Sequence, residues 1–582
     1  MSDSNGEELI KLSDKMFARK WSIDSLRQTL AMEFFPERAN FTQERIDGDE
    51  YMRQTYESGP ALNRRTLADA IGALTRPKQQ TWAKVRPEDE ALHTDDALVW
   101  CDWATGQMHK LLYWKNSNFH RCMRMGDNDI VSFGDGICSI AEEAERSGRP
   151  FFDWHHLRDC AWTRNRMHVA DTFHRKFKVQ AREFCKRWGE AMLPEARKAT
   201  LDKDPWQEIE VRHIVMPSGK YDGYRSFASK GKPFISIYIC PENRRVLKDD
   251  NGYFEFPYIV RPWEAQDYSP YSYSPAAMLG LCDARLLQSQ AAVILDAAER
   301  TIDPPLIATR EAILDGPYSA AGSITYVDAD YDEKLGAALR PLETAGNLGI
   351  GLDMKVDTRE VLAAAWYINK LNLPSDSDMT AYEVSERVGE YIRSIGPVIE
   401  PFEQHNQQIL DVVFQMSLRL GKLGAYEDIP KEIRGADIGF EIEGPVRAAY
   451  ARQKTVKAKE ALEMAKANAE LDPRFLDNVD FDTLGRDGIK GIGGDQAWLK
   501  PVEIVTEKRK ADAEAARKQA QLEEAARGMA MAKEAASMVP AAAAANMAIP
   551  DVRQGMPVAA QPVNDNDEFE PEGLADLMAQ VG

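Results

Sequence analysis

Cysteine is scarce and poorly spaced for chemistry. The 582 residues hold 7 cysteines, at positions 101, 122, 138, 160, 185, 240 and 282, with no CxxC pair among them. An odd count with that spacing excludes a disulfide framework and a thiolate zinc site, and leaves reduced, partly buried thiols as the expectation. Long apolar runs are missing too: no stretch approaches the ~20 residues of a membrane helix, so no membrane partner is expected. The acidic opening MSDSNGEEL lacks the basic-then-apolar order of a secretory signal. Positive charge is in deficit, with 73 Lys+Arg against 93 Asp+Glu and a net charge of −20. That balance disfavours a protein that wraps nucleic acid by neutralising phosphates. It does not exclude a surface past which a polyanion slides without sticking.

Catalytic signatures are also absent. There is no GxxxxGK[ST] phosphate loop; Ser218-Gly219-Lys220 and Lys230-Gly231-Lys232-Pro233 contain Gly-Lys without the spacing or the hydroxyl. Gly346-Asn-Leu-Gly349-Ile-Gly351 lacks the strand-then-glycine order of a dinucleotide site, and no HExxH, GxSxG or paired-carboxylate pattern occurs. Asp153, His155, His156, Asp159 and Cys160 form the one cluster with metal-ligand chemistry. Adjacent histidines rarely point the same way and no second ligand group has a recognisable spacing, so structural hydrogen bonding is expected there and no metal. A metal-dependent nuclease using Asp153, His155 and Asp159 is the enzymatic alternative, and cleavage of plasmid DNA with divalent metal would revive it. The expectation is a protein that is not an enzyme, with no catalytic residue and no cofactor.

What is present is enough chain for several packed units. Hydrophobic residues make up 44% and charged residues 29%, ordinary for a folded protein. Helical spacing covers 7–31, 61–76 before Pro77, and 95–125, where Leu98, Trp103, Met108, Leu111, Leu112, Trp114 and Phe119 are core candidates. Over 207–261 the period falls to two: Ile209, Val211, His213 and Val215 alternate with Glu208, Glu210, Arg212 and Ile214. Residues 234–240 continue that pattern, and Asp250-Asn251-Gly252 predicts a hairpin turn. Ser274 then caps a helix with Pro275 at its first position; it runs through Leu279, Leu286, Leu287, Ile294 and Ala298 to Asp303-Pro304-Pro305.

Residues 303–356 are Gly- and Pro-rich, with strand-like pieces such as 323–327, and predict a small irregular module. Asp357, with Glu360 three residues on, caps a second helix carrying Val361, Leu362, Ala365, Trp366, Ile368 and Leu371, which ends before Pro374. A short acidic loop, LPSDSDM at 373–379, follows. Thr380-Ala-Tyr-Glu383 is a capping box opening a helix with Val384, Val388, Ile392, Ile395, Ile399 and Phe402 on one face. Pro397 and Pro401 predict a bend in it rather than a break, before Ile409, Val413, Met416 and Leu420 resume the stripe. Helical stretches at 446–471 and 504–538 bracket a Gly-rich segment at 485–494. Beyond Pro540 the apolar content is too low to fold alone, so a flexible tail is expected, with 574–578 able to dock as a short helix.

Ser117-Asn118-Phe119, Phe133-Gly134-Asp135-Gly136, VRHIVMP at 211–217, PYIVRPWEAQDYSPYSYSPAA at 257–277, DPPL at 303–306 and MTAYEVSERVGEYI at 379–392 occur in that order. Taken together these segments resemble the head-to-tail connecting (portal) proteins of short-tailed phages, over roughly residues 10–520. The sequence departs from the pattern at Tyr268-Ser-Pro-Tyr-Ser-Tyr-Ser, where relatives carry a Gly-Glu-x-Tyr-Gly type of run, which puts the local turn at issue. The final 40 residues or so fall outside the resemblance.

The resemblance implies an α+β, mostly helical ring subunit: a wing at 1–274 with N-terminal helices and an antiparallel β module, stem helices at 275–302 and 357–372, and a clip at 303–356 between them. A tunnel loop at 373–379, a long kinked wing helix at 380–424, crown or barrel helices at 425–539 and the tail at 540–582 complete the division. It further implies a homo-oligomeric ring, a dodecamer, in the virion at the portal vertex and assembled in the host cytoplasm. Its partners would be a terminase, tail adaptor proteins, capsid and scaffolding proteins, and double-stranded DNA passing non-specifically. Lys370, Asn372, Ser375, Asp376, Ser377 and Asp378 are the candidates to face the channel, where one Asp per subunit would form a negative collar and Lys370 would touch phosphate. The bland alternative for these residues is an ordinary solvated connection. For the whole chain it is a soluble structural tail or internal virion protein without a DNA channel.

Overall fold

The computed structural model describes residues 3–218 apart from 45, 47, 51–54 and 144–147; 231–302 apart from 248–251 and 265–268; and 306–308, 339–341, 348–371 and 381–443. It also describes 455–468 apart from 456 and 458, and then 480–491, 500 and 502–537. The chain divides into two units, Met1–Leu499 and Lys500–Gly582. The strands are β1 (Ala83–Pro87), β2 (Asp135–Glu143), β3 (Arg149–Trp154), β4 (Cys160–Arg164), β5 (Ala170–Gln180), β6 (Glu208–Pro217), β7 (Phe234–Cys240), β8 (Arg245–Leu247), β9 (Tyr258–Pro262), β10 (Leu306–Ala308), β11 (Leu339–Pro341) and β12 (Ile438–Ile442). The helices of the first unit include α1 (Asp3–Arg19), α2 (Trp21–Phe34), α3 (Gly59–Thr75), α4 (Asp95–Leu112), α5 (Phe119–Phe133), α6 (Ala181–Trp188), α7 (Glu195–Lys198), α8 (Leu281–Ile302), α9 (Leu348–Ala365), α10 (Ile368–Leu371) and α11 (Ala381–Arg419). The fold is α+β and mostly helical.

The β module is an antiparallel five-stranded sheet in the order β4-β5-β6-β7-β8. Alternation along β6 sends Ile209 and Val211 to one face, with Ala181 and Phe184 of α6, and Ile214 and Met216 to the other, with Leu9 of α1. Both faces of the strand are therefore covered, which is why Ile214, on the polar side of the expected alternation, is fully buried. A second sheet, β3-β2-β9, joins α5 to the core shared with α2, α3, α8 and α9. A two-stranded ladder, β1 with β12, packs with α4 and the second half of α11 through Trp82, Ile409, Val413 and Phe440.

Several expected boundaries shift. The helix expected over 7–31 breaks at Lys20, whose ammonium turns inward to donate to the carbonyls of Leu157, Arg158 and Cys160 at 2.7, 2.7 and 2.9 Å. The helix expected over 95–125 is two helices, separated at Asn118, which sits in the left-handed region at φ +59°. The helix expected from Asp357 starts at Leu348, so Asp357 lies inside it rather than capping it. Gly485 and Gly488, of the Gly-rich segment expected between two helical stretches, lie in helix α12 (Phe481–Gly491). The helix over 381–419 is continuous through Pro397 and Pro401, with Ile395, Ile399, Phe402, Ile409 and Val413 buried on one side.

The turn at 250–251, the piece at 323–327, most of the clip, the loop at 373–379, the Thr380 cap, 446–454 and the tail after 537 lie outside the described residues. The second unit contributes one described helix, α13 (Val502–Ser537), exposed along nearly its whole described length. Among the described residues no helix is long and apolar enough to cross a membrane.

Candidate stem and wing junction

Helix α8 starts from a capped, widened turn. Ser274 Oγ accepts from Ala277 N at 3.2 Å and donates to the Ser132 carbonyl at 2.8 Å, fixing the entry of the chain before a π turn at Ala276–Gly280. Gly280 lies under aromatic side chains of α2 and of the turn after α9, since a Cβ there would come within 3.2 Å of Trp366 Nε1 and 3.3 Å of Phe34 Cζ. From this point α8 buries Ala284, Leu287 and Ala291, and α9 buries Thr358 and Leu362. At 1.5 Å per residue α8 is about 33 Å long.

Glu57 ties α8 and α9 to the segment that precedes α3. Its carboxylate accepts from Lys355 Nζ at 2.7 Å and Arg359 Nη2 at 2.9 Å on α9. On α8, Gln288 Oε1 accepts from the Tyr56 and Glu57 amides at 2.9 and 3.0 Å, while Gln288 Nε2 donates to the Glu57 carbonyl at 2.7 Å. Burial pushes the Glu57 carboxyl up, but the hydrogen bonds and charges of Lys355 and Arg359 outweigh it and hold the group below its ordinary range. The clamp is therefore present at neutral pH and is lost as pH falls through that depressed value. Glu57→Gln is expected to cost ~1 kcal/mol in denaturant unfolding, and Asp69→Asn, which breaks only exposed ion pairs, at most a few tenths. Equal losses for the two variants would remove the clamp's special role.

The lower end of α9 turns sharply. Tyr367 has φ +56°, and its ring lies 6.3 Å from that of Trp263 at an interplanar angle of 22°. Lys370 follows on α10, exposed, with Nζ 5.4 Å from the centre of the Tyr367 ring. It is the one channel candidate that the structure describes. Asn372, Ser375, Asp376, Ser377 and Asp378 lie outside the described residues.

A buried charge network around α5 is not visible in the sequence. Asp127 meets Arg261 of β9 at 3.1 Å and Arg76, just past α3, in a shorter contact; Arg76 also donates to Asn406 of α11 at 2.9 Å. Asp129 accepts from Arg38 and from Trp154 Nε1, each at 2.9 Å. Asp135 accepts from Arg27 of α2 at 2.6 Å and from the Ser272 amide at 3.0 Å. Three carboxylates at one end of α5 and the start of β2 thus gather arginines from separate elements and tie α2, the end of α3 and β9 to α5, with Arg76 reaching on to α11. Gly126 is required here, because any side chain would collide with the Arg261 guanidinium. Burial pushes Asp129 and Asp135 up, against the pull of Arg38 and Arg27 respectively.

The Asp153 to Cys160 cluster serves packing. His155 Nε2 lies 2.7 Å from Ser139 Oγ, His156 pairs with Asn40 and accepts from the Arg158 amide at 3.0 Å, and Asp159 pairs with Arg158 at 2.9 Å. The two histidines thus reach different partners. Among the described residues no three His, Cys, Asp or Glu side chains are grouped to hold a metal.

The family model for the bacteriophage head to tail connecting protein matches residues 6–499. The chain belongs to this family. Head-to-tail connecting proteins are structural components of the virion at the head–tail junction, not enzymes. A "Probable portal protein" of Bordetella phage BPP-1 is 24% identical over 498 residues, covering 83% of this chain and 86% of its own. A "Portal protein" of Salmonella phage epsilon15 is 21% identical over 543 residues, covering 89% and 94%. A chain from a solved structure titled "Virion of native gene transfer agent (GTA) particle" aligns at 10% identity with a TM-score of 0.33, over 72% of this chain and 91% of that one. One titled "Neck of empty GTA particle computed with C6 symmetry" aligns at 11% with a TM-score of 0.34, over 70% and 88%.

Proposed function

We propose that this head-to-tail connecting protein is the subunit of a portal ring, a dodecamer, through which double-stranded DNA enters the capsid and later leaves it. The terminase that drives packaging and the adaptors that join the tail dock on the clip side. The observation that carries the reading is the unpartnered apolar surface of the stem. On α8 and the turn before it, Leu279, Leu286 and Val293 recur one heptad apart and are 56%, 48% and 64% exposed; α9 adds Ile350, Met354 and Val361. A row of large apolar side chains along a helix pair is covered by something in the working protein. In a ring, closed cyclic symmetry puts the next copy's stem against it. The curated relatives carry the name portal protein, which supports the same assembly.

The acidic loop after α10 supplies the channel chemistry in this proposal. Lys370, Asn372, Ser375, Asp376, Ser377 and Asp378 face the DNA, and the aspartates, repeated around the ring, keep the phosphates off the wall so that DNA slides rather than binds.

Negative-stain imaging tests the assembly. The purified chain, with capsid partners where assembly needs them, is expected to give rings with a hole wide enough for a duplex ~20 Å across. Val293→Glu, at an exposed position, is expected to abolish the rings while leaving the unfolding midpoint of the subunit within ~0.5 kcal/mol. Absence of rings from the unaltered chain even with those partners would favour a structural tail or internal virion protein instead.

A further inference from the structure

The hairpin between β4 and β5 builds a basic cavity that touches the charge network only through Arg164. It has a volume of about 670 Å³ and lies between the end of α1, this hairpin and residues 269–271. Arg164, Arg166 and His168, at alternate positions of the hairpin, line it with Arg19 from α1, and no Asp or Glu does among the described residues. In a chain of net charge −20 this is a local reversal of sign.

The cations are held ready and are poorly compensated. Asn165 Oδ1 accepts from the amides of Met167 and Val169 at 2.8 and 3.1 Å, and the Asn165 amide donates to the Val169 carbonyl at 2.8 Å, so the hairpin tip is fixed in shape. Arg19, Arg166 and His168 are exposed and enter no ion pair among the described residues. The Arg164 side chain is only 7% exposed; it lies 3.6 Å from Asp135 and donates to Ser272 Oγ at 3.1 Å, while its Nη1 has no partner. Asp135 is already engaged by Arg27 at 2.6 Å, so Arg164 receives only a share of that charge. Trp162 Nε1 donates to the Pro270 carbonyl at 2.8 Å and pins the opposite wall.

We propose that this cavity binds a compact phosphate anion of the pyrophosphate type, as carried by a nucleoside di- or triphosphate. Its volume is that of a small-molecule site. Several cations converging on one small space match an anion that concentrates its charge, and guanidinium forks match phosphate oxygens in geometry. A DNA duplex presents its phosphates along a convex ridge on a rod ~20 Å wide and does not enter such a cavity. An acidic peptide spreads one charge over each ~3.4 Å of extended chain and must be ordered on binding.

Isothermal titration of the full-length chain with inorganic pyrophosphate tests the proposal, with a short oligothymidylate and a polyglutamate peptide as competitors. Saturable binding, one pyrophosphate per chain, is expected. It should weaken at least about tenfold in Arg19→Ala/Arg166→Ala, a pair of exposed changes whose unfolding midpoint serves as the folding control. The proposal is overturned by no pyrophosphate binding, by equal affinity in the double variant, or by displacement at equal or lower concentrations of either competitor.

Discussion

Asp127→Asn is expected to destabilise the subunit by about 3–5 kcal/mol, the largest single effect in the molecule. Asp127 is 2% exposed and faces two guanidiniums, Arg261 at 0% and Arg76 at 4%. Removing the charge while keeping the size leaves both cations in a low-dielectric site with an amide for company. Burial already pulls the Arg76 guanidinium down, and the Asp127 charge is the main force opposing it. Loss of that charge falls on three elements at once, because the same guanidinium reaches Asn406 on α11 and Arg261 belongs to β9. The measurement is guanidinium unfolding at fixed protein concentration, since assembly adds a mass-action contribution to apparent stability. Arg76→Met is expected to cost much less in the Asp127→Asn background than in the native one, the non-additivity of groups that act together. A loss under ~1 kcal/mol for Asp127→Asn would mean that water reaches the site.

The elements that announce themselves in this sequence are those whose pattern is one-sided. The stripe through Ile395, Ile399, Phe402, Ile409 and Val413 is legible because α11 buries one face and leaves the other to solvent. The Ser274 cap is legible because capping is local chemistry. Strands β2 to β5 are not, for a physical reason. Consecutive residues are buried on both faces, Ala161 with Trp162 in β4 and Thr172, Phe173 and His174 in β5, so these strands lack the clean alternation expected of β6. The break at Lys20 was hidden because a lysine reads as a good helix former, and only tertiary contacts with 157–160 show that its ammonium is a buried donor.

The charge network was hidden by composition. A run such as Gly126-Asp127-Asn128-Asp129 looks like a solvated helix face, and nothing in the spacing of Arg27, Arg38, Arg76 and Arg261 predicts that they converge on it. One signal was there to use: Asp127 and Asp129 sit among Ile130, Val131 and Phe133, in the half of α5 that is buried all round. Carboxylates in such a helix need cations brought by other elements. The order of segments, in contrast, carried the family, because it does not depend on knowing which side chains meet.

His174→Phe is expected to make the subunit more resistant to acid. His174 lies in β5 between Ala161 and Ile214 of the flanking strands, 1% exposed, with neither ring nitrogen hydrogen-bonded. Burial first, and then the nearby Arg212 guanidinium, hold its pKa down from 6.5 to about 4. The unfolded chain takes up this proton near pH 6.5, whereas the folded one does so only near 4. The contribution to stability is therefore complete above pH 6.5, falls as the pH drops from there towards 4, and changes little below. Between pH 7.5 and 4.5 the native protein should lose about 2.5 kcal/mol more than the His174→Phe variant. His155, His156, His213 and His405 are also held well below their ordinary value by burial. Asp24, Asp129 and Asp135 are pushed up and act in the opposite sense. All of these are common to both proteins and cancel in the comparison, as does the Asp14 and Glu210 pairing of Arg212 at 2.7 and 3.2 Å. Parallel stability curves across this range would show that His174 titrates as it does in water, and that the face of the sheet between α1 and β5 is open to solvent.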